Sequence, residues 1–332
     1  MAKYTAIGGQ ALIEGIMMKS PEKTALAVRT PDKTIDISYM EEKSLRQRFA
    51  FFRIPVIRGI IAYIESMLQG YKAMMLSADK SGFTDLEEEE KEKDPKKTNA
   101  ILSIVMVIGT VLGVALAVVL FMGVPRYAVK GLEWLFDTTF SKVARASIEQ
   151  LIKLVVFVGY MMLVSLMKDI KRVFMYHGAE HKTIFCYEKG LPLTVENVKM
   201  QSRFHPRCGT SFLILMIIIS ILFSTLVQFI FPGVYEIPWL WIIVKILLVP
   251  IICGVGFEVL RACGKYDNIL TRIISAPGLW MQRITTYEPS DDMIEIAIAA
   301  IKACEPENPD VERPVEKELE AENAETEKEE EI

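Results

Sequence analysis

"ILSIVMVIGTVLGVALAVVLFMG", residues 101 to 123, runs for 23 residues without a charge. A helix needs roughly 20 apolar residues to cross the hydrocarbon core of a bilayer, so this stretch reads as a membrane span. Three more apolar runs follow, from Ile148 to Met167, Phe212 to Phe231 and Trp239 to Leu260. The second begins with Glu149 nearby and carries Lys153, so for it a buried soluble helix is the competing reading. The chain is 332 residues long, 51% hydrophobic, with mean hydropathy +0.28, too apolar for an ordinary soluble domain. The sequence therefore predicts a mainly α, polytopic membrane protein with about four transmembrane helices, partnered by the lipid bilayer.

Charge sets the expected orientation. The connection between the second and third spans holds Lys168, Lys171, Arg172, Lys182, Lys189, Lys199, Arg203 and Arg207; that between the first two holds Arg126, Lys130, Lys142 and Arg145; "PGVYEIP" between the last two holds none. The start, "MAKYTAIGGQALIEG", lacks the basic-then-apolar order of a secretory leader. Both termini and the loop over 168–211 are expected on the cytoplasmic side. The five cysteines form no spaced disulfide framework, so reduced thiols are expected.

Around the membrane domain, 101–260, the chain divides by pattern. Residues 1–44 read as a small β-rich cytoplasmic cap, because "TALAVRT" and "TIDISY" alternate apolar with polar around a "PDK" turn. "GGQALIEGIMM" reads either as a substrate-facing turn or as backbone punctuation at strand ends. Over 45–78 apolar residues recur every three or four positions, which predicts an amphipathic interfacial helix kinked near Pro55, or else a helix in the core of the cap. Residues 79–100, with "DLEEEEKEKDPKK", read as a charged linker. In the C-terminal segment 261–304, "SDDMIEIAIAAIKACE" reads as a helix capped at Ser290 or Asp291. The tail, 305–332, holds 13 acidic residues against 3 basic ones, which exceeds the chain's net charge of −4; the body is net positive and the tail reads as disordered.

The chemistry concentrates at the cytoplasmic edge. "YHGAEHKTIFCYE", residues 176 to 188, contains His177, Glu180 and His181 in the order H-x-x-E-H. On a helix these share a face, so both imidazoles can reach one divalent ion with a carboxylate beside them. "FHPRCG" adds His205 and Cys208 just before the third span, and Glu258 lies near the cytoplasmic end of the fourth, where an ionisable group is a functional candidate. His177, His181, His205 and Cys208 would make a closed, structural zinc site. His177 and His181 with Glu258 or His205 would leave room for water, with Glu180 as general base and Arg207 or Arg203 steadying an oxyanion. Histidines merely bonded to Glu180 and Glu258, without metal, are the plain alternative. Cys186 reads as a small buried residue.

These motifs, with "LTVENVKMQSRFHPRCGTSFLI", "GFEVLRACGKYDN" and "PGLWMQRITTYEPSDDMIEIAIAA", resemble the YqhQ-like family of bacterial membrane proteins, a family of unknown function labelled as metal-dependent enzymes. The resemblance spans residues 5 to 303 and implies a bacterial plasma-membrane location. H-x-x-E-H is also similar to the motif of inverted zinc peptidases. That likeness implies His177 and His181 as ligands, Glu180 as base and Glu258 as distant third ligand; it concerns local chemistry, since here Glu258 belongs to a membrane span. Two functions follow: a metal-dependent hydrolase, zinc-type by ligand chemistry, at the cytoplasmic interface, or a non-catalytic scaffold binding a partner such as membrane-protein insertion or secretion machinery, or a second copy of itself. Transport along Lys153, Lys245 and Gln228 is a weaker reading than snorkelling lysines. No basic cluster interleaves with aromatics, so no nucleic-acid partner is expected.

Overall fold

In the computed structural model, residues 7–40, 50–83, 95–206, 208–231, 233–234, 237–266 and 268–305 are described. The chain is mainly helical, with one four-stranded antiparallel sheet near its start: β1 (Gly8–Leu12), β2 (Gly15–Lys19), β3 (Thr24–Arg29) and β4 (Ile35–Tyr39), in the order β1-β2-β3-β4. The β3–β4 hairpin is the one expected from "TALAVRT" and "TIDISY". The "GGQALIEGIMM" segment, read as turn or strand-end punctuation, is itself a hairpin, with Leu12 opposite Gly15 across the two-residue turn Ile13–Glu14.

The helices are α1 (Ile57–Lys80), α2 (Pro95–Val118), α3 (Val124–Leu135), α4 (Lys142–Ser165), α5 (Lys168–Glu188), α6 (Val195–Lys199), α7 (Gly209–Ile230), α8 (Pro238–Lys265), α9 (Ile269–Thr285) and α10 (Asp291–Cys304). Four helical stretches are long and apolar enough to cross a membrane: Val107–Leu135, Ala144–Ser165, Leu213–Ile230 and Trp239–Cys263. The first does not stop at Gly123 as expected. A π-helical turn, Val119–Gly123, carries α2 directly into α3, whose first turn contains Pro125. Proline lacks an N–H and crowds the preceding turn, and the widened π turn takes up that misfit without ending the helix.

The amphipathic helix also differs from expectation. Residues 45–49 lie outside the described residues. Ala50–Arg53 forms a short 3-10 turn, and α1 begins only at Ile57, after Val56 with φ 69°. Pro55 therefore separates two elements, because the residue before a proline is pushed out of the helical region. Of the charged linker over 79–100, α1 reaches Lys80, α2 begins at Pro95, and residues 84–94 lie outside the described residues, as does 306–332 of the acidic tail.

The sheet is covered on both faces, which the period of two in its strands dictates. Ile16, Met18, Ala25 and Ala27 point to one face and pack with Tyr176, Ala179 and Ile184 of α5 and Met293, Ile296, Ala297, Ala300 and Ile301 of α10. Leu12, Met17, Leu26 and Val28 point to the other face, against Ala73 of α1. Covered on both faces, β2 and β3 are near-continuous apolar runs, so the alternation expected of β3 is corrected: its residues are buried on both sides. Among the spans, Leu215 and Ile219 of α7 interlock with Leu248 and Ile252 of α8.

Glycines mark the closest crossings. A Cβ on Gly59 of α1 would lie 2.8 Å from the Gly254 carbonyl oxygen of α8, and one on Gly178 of α5 would lie 2.0 Å from the Tyr287 carbonyl oxygen. The Tyr287 N–H also donates to the Phe174 carbonyl at 2.9 Å. The chain after α9 thus lies across α5 at Gly178, and the glycine that weakens the helix by roughly 1 kcal/mol in isolation is the residue that allows this crossing.

Gly178→Ala is therefore expected to destabilise the protein by about 1–3 kcal/mol through overpacking. Gly109→Ala, where a Cβ meets nothing within 4 Å, is expected to be neutral or slightly stabilising. Thermal unfolding of both variants in detergent checks the contrast; equal midpoints would contradict it.

Candidate metal centre

α5 brings His177, Glu180 and His181 onto one helical face and buries all three, at 8%, 4% and 1% exposure. The loop after α6 brings Cys208, also 8% exposed, to the same point just before α7. One donor atom from each of His177, His181 and Cys208 lies within 4.8 Å of the other two. The two imidazole centroids are 4.3 Å apart.

The ring nitrogens are sorted by backbone carbonyls. His177 Nδ1 lies 2.8 Å from the Thr285 carbonyl oxygen, and His181 Nδ1 lies 2.5 Å from that of Arg203. A carbonyl can only accept, so each Nδ1 carries the proton and each neutral ring keeps its lone pair on Nε2. His177 Nε2 lies 3.0 Å from Cys208 Sγ. His181 Nε2 is buried and turned toward the same sulfur. Carbonyl-fixed Nδ1–H groups with Nε2 turned inward are the arrangement typical of metal-ligating histidines.

The electrostatics are those of a coupled cluster. For His177, burial disfavours the imidazolium, but the Cys208 sulfur, its hydrogen bond, Glu180 and the Thr285 carbonyl outweigh it, and the group is pushed up to about 9. Burial pushes the Cys208 thiol up, while His177 and His181 pull it well below its usual 9.0. Burial pushes Glu180 up to about 8, partly offset by His177 and by N–H groups of Ala11 and Gly9. Burial lowers His181. A deprotonated thiol and inward imidazole lone pairs are what a zinc-type ion requires, so the donor set fits such an ion.

The other sequence candidates separate. Glu258 does not join the cluster: its carboxylate holds Arg58 of α1 through two bonds, at 2.6 and 2.5 Å. An arginine on a helix packed against the same span satisfies that acid, so its role as third ligand is corrected to an α1–α8 clamp. His205 lies beside the cluster but outside its 4.8 Å group. Its ring centroid is 5.7 Å from that of His181 and its Nε2 faces Glu188 at 3.6 Å. Its backbone N–H and carbonyl are both bonded by the Gln282 amide at 2.7 Å, which fixes the loop that carries Cys208. Burial lowers His205 to about 4. The Arg203 guanidinium lies 5.1 Å over the Phe204 ring. Arg207 lies outside the described residues. Cys186 is buried near the carbonyls of Leu191 and Pro192. Thr285, Gln282, Gly9 and Ala11 were missed by sequence reasoning; they act mainly through backbone groups, and only the Gly-Gly pair at 8–9 left a signal.

The fold and site together define a mainly helical protein with four bilayer-length apolar helices and a buried His-His-Cys cluster formed by α5 and the residue just before α7. The chain belongs to the family described as "Protein of unknown function (DUF1385)", which matches residues 54–307. It is 36% identical over 296 residues to the "Uncharacterized protein YqhQ" of Bacillus subtilis (strain 168), covering 88% of this chain and 90% of that protein. No solved structure matches it.

The pH dependence of the metal-free protein follows from the shifts. Above about pH 7.5 the unfolded histidines, with their ordinary value of 6.5, have lost their protons, so the His177–Cys208 pair holds one proton whether folded or unfolded and contributes little slope, and the stabilising effect of the lowered His205 and His181 is complete. Glu180, raised from 4.5 to about 8, holds a proton in the fold that it lacks when unfolded, so its contribution is lost as pH rises through 8. Chelated protein should lose stability from about pH 7.5 to 8.5, as Glu180 titrates through about 8, and Glu180→Gln should flatten the curve. Thermal scans across this window check it; a wild-type curve as flat as the variant's would contradict the assignment.

Proposed function

We propose that this chain is a multi-pass protein of the bacterial plasma membrane, with both termini cytoplasmic, and that His177, His181 and Cys208 hold a zinc-type divalent ion in a metal-dependent hydrolase site at the cytoplasmic membrane interface. The observation that supports it best is the meeting of three buried donors: His177 and His181, each with its Nδ1–H spent on a backbone carbonyl, and Cys208, with one donor atom from each within 4.8 Å of the other two.

Three protein donors are the number used by hydrolytic zinc sites, and four the number used by structural ones. An ion bound here would supply Lewis acidity to a carbonyl or phosphoryl oxygen and acidify a water molecule. Glu180 is buried beside the ligands and holds its proton in the metal-free protein; the positive charge of a bound ion would favour its carboxylate form, which could then take the proton from the attacking water and return it to the leaving group. Arg207 remains the candidate for steadying developing negative charge. The site's place at the ends of apolar helices suits an amphiphilic substrate, such as a lipid-linked molecule or a hydrophobic peptide.

A non-catalytic scaffold is the second reading, favoured by α1. That helix buries small and polar residues, Gly59, Ala62, Gln69, Gly70, Ala73 and Ser77, and exposes Ile64, Met67, Leu68, Tyr71 and Met75. Such an outward apolar stripe suits the bilayer surface, a second copy or a membrane-protein partner.

Elemental mass spectrometry on detergent-purified protein, prepared without chelator, separates the readings. About one zinc or similar ion per chain is expected, lost in His177→Ala, His181→Ala and Cys208→Ser but retained in Glu180→Gln and Glu258→Gln. Metal-free wild type would leave the scaffold as the account.

A further inference from the structure

The family match begins at residue 54, yet the structure lays residues 8–19 against the candidate base. Among the described residues β1 is an edge strand, paired with β2 alone. Around a two-residue turn the flanking pair, Leu12 and Gly15, exchanges hydrogen bonds, and alternate residues along an antiparallel ladder do the same. Leu12, Gln10 and Gly8 therefore bond inward to β2, and the N–H groups of Gly9 and Ala11 face the free edge. Those two N–H groups are the ones that donate to the Glu180 carboxylate. The approach is too close for a side chain: a Cβ on Gly9 would lie 2.8 Å from Glu180 Cγ and 2.9 Å from Cδ and Oε1.

The other end of the hairpin is fastened to the same helix. Glu14 in the turn adopts φ 51°, a conformation that costs a non-glycine residue energy. Its two carboxylate oxygens accept from Nε and Nη2 of the Arg172 guanidinium, and one also accepts from the Tyr176 hydroxyl at 3.1 Å. Arg172, Tyr176 and Glu180 are spaced by four on α5, so they form one row beneath β1. On the sheet's other side, a Cβ on Gly70 of α1 would lie 2.4 Å from Gln10 Oε1, which fixes the strand from that direction as well.

We infer that the β1–β2 hairpin is a working part of the site: Gly9 and Ala11 position the Glu180 carboxylate beside the His-His-Cys cluster, and Glu14, through Arg172 and Tyr176, sets the register of the hairpin on α5. Gly9, Ala11 and Glu14 are positioning residues. This rests on the proposed role of Glu180, and the contact itself is testable without metal.

Hydrogen exchange by mass spectrometry on the full chain in detergent reads the contact. In Glu180→Ala the peptide over 8–12 is expected to exchange roughly tenfold faster than in wild type, through loss of the hydrogen bonds from Gly9 and Ala11, with β2 and β3 unchanged. Gly9→Ala should accelerate it too, and adding Glu180→Asp, whose shorter side chain leaves room, should restore protection. Glu14→Gln serves as the milder variant if Gly9→Ala does not fold. The second readout is the visible absorption of Co2+ loaded into the site. Glu180→Gln should shift the bands with metal retained, and Gly9→Ala should reproduce the shift. Acceleration spread evenly over the whole sheet, or protection of 8–12 indifferent to Glu180, overturns the inference, as does a wild-type Co2+ spectrum in Gly9→Ala. Failure to take up Co2+ sinks the metal reading alone, and the exchange comparison then decides the hairpin's role by itself.

Discussion

Two backbone carbonyls decide what this protein's histidines can do. Thr285 and Arg203 each accept an Nδ1–H from α5, and each thereby turns an Nε2 lone pair toward Cys208. The rest of the architecture serves to hold those carbonyls in place. The chain leaving α9 must cross α5 closely enough for Thr285 to reach His177, which requires Gly178. The loop before α7 must present both Arg203 and Cys208, and the Gln282 amide fixes it through the backbone of His205. The elements that build the cluster are also those that join the apolar helices to the sheet. Glu180 is the one member of the H-x-x-E-H face whose partners come from the sheet's free edge.

Much of the architecture was legible because it depends on composition and period. Apolar runs of bilayer length gave the four candidate spans, the alternation of "TIDISY" and the "PDK" turn gave the β3–β4 hairpin, and the acids after Ser290 with the periodic isoleucines gave α10. His177, His181 and Cys208 were legible because an i, i+4 pair of imidazoles and a nearby thiol are rare combinations with few uses.

What failed to show in the sequence was determined by partners far along the chain. Glu258 looked like a ligand because an acid in an apolar span needs a partner, and its partner is Arg58, 200 residues earlier. β1 was hidden because Gly8 and Gly9 have low strand propensity, and its place is secured by α5 and β2. α9 lacked a clear helical signature, with Pro277 in its interior; its start at Asn268 is fixed by a capping box with Thr271, and its packing lies against α7 and α4. The end of the first span was misjudged because a π turn can absorb a proline that would stop a regular helix.

The most direct test of the central claim is X-ray absorption at the zinc edge on purified, metal-loaded protein. A first shell with one sulfur at about 2.3 Å and two imidazole nitrogens at about 2.0 Å, the sulfur lost in Cys208→Ser, is the result this account predicts. A shell of oxygen and nitrogen alone, unchanged by that substitution, would contradict it.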